Sequence, residues 1–144
     1  MKSNLLSTVL VSLLVTACQQ SDDKKEIQQI QDQVMAVHDE VMPHSDELMD
    51  LKEKISKQID SLSKVTPATA SLKSRQQEGI AINQSLTEAD SLMYDWMNHY
   101  RADTLTGMDA AQAKIYLDRE LAKITVVKEK INSGITEAKK FLGR

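Results

Sequence analysis

Apolar residues spaced alternately three and four apart run through this chain. Ile27, Ile30, Val34, Val37, Val41, His44, Leu48, Leu51 and Ile55 keep that step without a gap, and Ile59 and Leu62 continue it. A half-buried strand would need a period of two. A three-four step instead places all of these side chains on one stripe of an α-helix. Only His44 in the stripe is polar, so it reads as a heptad seam that must be covered by other helices. The seam predicts a first helix over about residues 25–63. Pro43 falls inside it, where it removes one backbone hydrogen bond and crowds the carbonyl of Asp39, so a kink is expected near residues 39–43.

Two more seams follow. Leu72, Gly79, Ile82, Leu86, Ala89, Met93, Trp96 and Tyr100 predict a helix over about 67–100, opened by Thr66 as a hydroxyl cap with Pro67 in the first helical position. Ala110, Ala113, Leu117, Leu121, Ile124, Ile131, Ile135, Ala138 and Leu142 predict a third over about 107–142, where Thr106 and Asp109 resemble a capping box. Gly79 and Gly134 fall inside these helices, each at a cost of about 1 kcal/mol relative to alanine. Either they let helices approach closely or they are weak points. Short connections make successive helices antiparallel, so the fold expected for residues 26–144 is all-α. It is an up-down-up three-helix bundle, a coiled-coil-like hairpin plus a third helix, with helices roughly 50 Å long. The seams are also long enough to pair between two copies, as a homodimer.

Upstream of the seams the pattern changes. Lys2 precedes an apolar run from Leu5 to Ala17, which ends Leu14-Val15-Thr16-Ala17-Cys18. The run is shorter than the roughly 20 residues that span a bilayer. Its order, a basic start, an apolar middle and small residues at the end, is that of a signal peptide over residues 1–17. The final residues resemble a bacterial lipobox, in which the cysteine receives the lipid. Cys18 is the only cysteine, so an exported chain could form no internal disulfide with it, and acylation explains its presence. Two or more acyl chains anchor stably, at about 0.8 kcal/mol per buried methylene.

Residues 18–25, the lipidated Cys18 and the polar stretch Gln19 to Lys25, are expected to be a tether that holds the start of helix one near the membrane. Gln19 stands where an aspartate would favour inner-membrane retention, which points to the outer membrane of a Gram-negative cell. Ser21-Asp22-Asp23 resembles the short signal that carries lipoproteins of the Bacteroidota to the cell surface. Both the periplasmic face and the cell surface stay open. Cleavage removes Lys2 and leaves seventeen basic against twenty-one acidic side chains, a net charge of −4. That balance offers no footprint for nucleic acid.

Folding helix one back on helix two gathers one unusual group. Met35, His38 and Met42 come opposite Met93, Trp96 and Met97, with Met49, His99, Ala113 and Tyr116 nearby. Thioethers and imidazole suit Cu(I), and the Trp96 face could stabilise a cation. A soft-metal site is therefore one reading, with Met35, His38, Met42, Met93 and Met97 as ligands. The other is a methionine-filled core, since methionine packs well on aromatic rings. Catalytic signatures are missing from the sequence: there is no HExxH, no CxxC, no glycine-rich phosphate loop and no Glu-x-x-His pair. An enzyme is not expected, nor a cofactor besides the covalent lipid.

The stretches Met35-Ala36-Val37-His38-Asp39-Glu40-Val41-Met42-Pro43 and Met93-Tyr94-Asp95-Trp96-Met97 together resemble a family of small helical lipoproteins from the Bacteroidota, labelled "viral A-type inclusion protein". The likeness covers most of the chain. It implies an envelope location and supplies no catalytic residue. The expected function is a lipid-anchored, non-enzymatic interaction or structural module of the cell envelope, bound to the membrane through its lipid and to a protein partner or a second copy. The alternative is a copper-type binding lipoprotein.

Overall fold

A computed structural model describes the backbone of residues 6–143 and the side chains of residues 22–143. Its elements are α1 (Leu6–Val41), α2 (His44–Ser63), α3 (Ala70–His99), a 3-10 turn (Ala102–Gly107) and α4 (Ala110–Phe141). Every regular element among the described residues is helical, so the chain is an all-α bundle. Met1 to Leu5, the side chain of Cys18 and the rest of the apolar run's side chains lie outside the described residues.

The kink expected at Pro43 is a break between α1 and α2. The Met42 N–H still donates to the His38 carbonyl at 2.9 Å, but Pro43 has no N–H to offer Asp39, and helix resumes when the Ser45 N–H donates to the Met42 carbonyl at 3.2 Å. Pro43 itself keeps near-helical angles, φ −63° and ψ −19°. The seam therefore crosses the break in phase: Val41 and Leu48, seven residues apart, are both fully buried.

Three boundaries differ from the sequence reading. Residues 18–25, expected as a tether, are helical and continuous with α1; they contain no proline or glycine, and glutamine and lysine extend a helix readily. Helix α3 begins at Ala70, not at Pro67. Thr69 caps it, accepting from the Leu72 N–H at 3.2 Å, while Thr66–Pro67 is a cis peptide in the connection. Helix α4 is capped by Asp109 rather than Thr106. Asp109 accepts from the Gln112 N–H at 2.8 Å and Gln112 returns a bond to the Asp109 N–H, a complete capping box.

Ion pairs show the helix directions. Lys114 meets Glu26 and Lys128 meets Glu40, so α4 runs parallel to α1. Lys130 meets Glu88, and Asn83 donates to Ser56, with α3 antiparallel to both neighbours. The core is continuous along this up-down-up rod, from Ile30 and Val34 through Leu86 and Leu117 to Ile131 and Phe141. Ala110, expected inward, is exposed, while Val127 and Phe141 join the core.

Both helical glycines sit where helices approach closely. A Cβ on Gly79 would lie 2.8 Å from Phe141 Cζ and 3.0 Å from Ile59 Cγ1; one on Gly134 would lie 3.0 Å from Leu86 Cδ2. The α2–α3–α4 contact is closed further by Arg75, which donates to the Phe141 carbonyl at 2.5 Å and lays its guanidinium 4.5 Å above the Phe141 ring.

Candidate functional site

The α3 seam steps from Ala89 to Met93, Trp96 and Tyr100, which brings the only tryptophan into the layer beside the Pro43 break. His38 of α1 packs on Trp96 with ring centroids 5.4 Å apart and planes tilted 31°. Trp96 stacks on Tyr100 at 4.9 Å, and Tyr100 on Tyr116 of α4 at 6.3 Å. The four rings form a ladder across three helices. Its α4 end is pinned where the Arg101 N–H donates to the Tyr116 hydroxyl at 2.8 Å.

The foldback expected from the sequence therefore does bring His38 to Trp96. The methionines lie at different depths. Met93 is buried in the core, Met35 is half-buried, and Met42, Met49 and Met97 are exposed at the surface. His38 is mostly buried, with Nδ1 held 2.9 Å from Asp39 Oδ1, which leaves Nε2 as its other polar atom. His99 is exposed and pairs with Asp95 at 3.2 Å. Among the described residues, no three His, Cys, Asp or Glu side chains gather as a metal-binding group.

One residue of this layer escaped the sequence reading. Glu120 of α4 is 3 % exposed, three residues beyond Leu117 and four before Ile124, in the same inward phase. Lys123 donates to its Oε1 at 2.8 Å, but Oε2 has no partner. The Trp96 indole N–H is also buried without a partner, and the Tyr100 hydroxyl makes no well-formed hydrogen bond, with only a loose approach from the Gln31 side chain. Each such atom costs about 1–3 kcal/mol. Burial raises the Tyr100 phenol above its ordinary pKa; Tyr116 and Glu120 push the same way, and the Gln31 side chain opposes them.

Trp96 and Glu120 line the same groove between α3 and α4, about 500 Å³ in volume, together with Leu92, His99, Lys123 and Val127. That volume falls within the usual range for small-molecule sites.

No protein-family model, curated protein or solved structure matches the chain. The layer offers aromatic surface and a few polar atoms whose partners are missing. Its only close imidazole–carboxylate contact on α1, His38 with Asp39, joins sequence neighbours.

Proposed function

We propose that the chain is an exported lipoprotein of the cell envelope, anchored through an acylated Cys18, whose helical bundle is a non-enzymatic interaction or structural module. The observation that carries this reading is the run from Leu5 to Ala17 ending at the only cysteine. The likeness of residues 35–43 and 93–97 to Bacteroidota lipoproteins supports it, as does a bundle whose core is closed by its own three seams. No described helix is long and apolar enough to cross a membrane. In the up-down-up order the residue 64–69 connection lies at the opposite end of the rod from the α1–α4 end, where Glu26 meets Lys114. An anchor at Cys18, eight residues before Glu26 in α1, would thus present that connection outward to a partner.

Fractionation of cells carrying the full chain or its Cys18→Ala variant tests the anchor. The full chain should sediment with the outer membrane and label with radioactive palmitate, and the variant should do neither. Equal labelling of both would remove Cys18 from the proposal. Crosslinking of intact envelopes tests the module. A chain that crosslinks to neither a partner nor a second copy would contradict that half of it.

A further inference from the structure

We propose that the α3–α4 groove binds a small neutral molecule with an apolar body and a hydroxyl head. Its apolar walls are Leu92 on α3 and Val126 and Val127 on α4. The ionisable groups at the groove are already partnered, Lys123 with Glu120 Oε1 at 2.8 Å and His99 with Asp95 at 3.2 Å. A charged ligand would find no free counter-charge to repay its desolvation. What the groove residues leave unmatched is one donor and one acceptor, the Trp96 Nε1–H and Glu120 Oε2, on two side chains that are each at least nine-tenths buried.

Those two atoms select the head group. An indole N–H only donates and a carboxylate oxygen only accepts. An ammonium, which only donates, would leave the indole unpaired, and an ether, which only accepts, would leave the carboxylate unpaired. A hydroxyl alone among these head groups can both accept from an indole N–H and donate to a carboxylate oxygen. The site is independent of whether Cys18 is acylated, because all of its residues lie on α3 and α4.

The single tryptophan makes the test direct, since the ¹⁵N-labelled chain gives one indole N–H resonance. The full chain in lipid nanodiscs is titrated with cyclohexanol, methoxycyclohexane and methylcyclohexane while that resonance is followed. Cyclohexanol should move it saturably and bind about tenfold tighter than the ether, the worth of one net hydrogen bond. Glu120→Leu, which keeps an inward side chain of similar size, should abolish the preference for the alcohol. Val126→Phe, at a half-exposed position on the groove wall, fills the groove without adding a second indole and should abolish saturable binding altogether. A resonance that stays still, or that drifts without saturating and equally for all three probes, would overturn the proposal. So would a tenfold preference that survives in Glu120→Leu.

Discussion

Lys128 of α4 reaches Glu40 of α1 at 2.7 Å. Fourteen residues earlier in both helices, Lys114 reaches Glu26 at 2.8 Å, so α1 and α4 keep one register over that length. Past Pro43 the next pair is Glu47 with Lys139 at 2.7 Å. It lies seven residues on in the first arm of the bundle but eleven on in α4. The difference is about one helical turn, and it coincides with the break between α1 and α2.

The Glu47–Lys139 pair makes stability depend on acid. The hydrogen bond from Lys139 holds the Glu47 carboxyl below its ordinary 4.5; partial burial opposes this, while the charge of Lys139 and the neighbouring His44 reinforce it. A carboxyl depressed in the folded state stabilises fully above its unfolded value, and the benefit is lost as pH falls through the folded value. The loss should therefore begin below about 4.5. Lys139→Met should melt lower than the parent at pH 7, and the gap should shrink between pH 4.5 and pH 3. The effect is small because Glu47 is more than a third exposed. Circular dichroism melts at both pH values measure it.

Gly79→Ala sets helix propensity against space. Alanine gains about 1 kcal/mol in an α-helix interior. The added methyl would overlap Phe141, a rigid ring that is 2 % exposed, and such overpacking costs about 1–3 kcal/mol. The net result should be a loss of up to about 2 kcal/mol in urea unfolding. Gly134→Ala meets only the end of Leu86, at 3.0 Å, and should be closer to neutral.

Tyr100→Phe should leave stability at neutral pH unchanged or raised by up to about 1 kcal/mol, because the buried hydroxyl it removes makes no well-formed hydrogen bond and only the Gln31 side chain approaches it. It should also flatten the alkaline limb. A phenol whose folded pKa is raised costs stability as pH climbs past its ordinary 10.0, since the unfolded chain ionises first. Parent and variant melts should diverge above about pH 10, with the parent falling faster.

The helices were legible because their seams are uninterrupted. Ile30, Val34, Leu48, Leu51 and Ile55 are buried as their spacing requires, and so are Ile82, Leu86, Ala89, Met93 and Trp96. Helix starts were less legible. Thr66 and Thr69 both offer a hydroxyl, as Thr106 and Asp109 both offer an oxygen, and only the backbone path decides which one meets an unpaired N–H. Phe141 and Leu142 lie three and four residues beyond Ala138, so the spacing admits either; packing against Gly79 selects Phe141. Glu120 was hidden by its charge. Its position in the inward phase was the only signal, and a carboxylate there reads as a solvated face until its burial is seen.

Glu120→Leu follows from that burial. One carboxylate oxygen is unpaired in the interior, and its only ion partner, Lys123, is half exposed. Replacing such a group with an apolar one of similar volume is neutral or stabilising by about 1–4 kcal/mol. The variant should melt at or above the parent temperature, whereas Glu120→Ala, which opens a gap, should melt lower than Glu120→Leu.

Intact mass spectrometry of the protein extracted from membranes tests the anchored-bundle proposal most directly. The predicted species begins at Cys18, lacks residues 1–17 and carries a diacylglyceryl group on the thiol with a further acyl chain on the new amine. A membrane-extracted chain that retains residues 1–17, or that begins elsewhere with an unmodified Cys18 thiol, would contradict it.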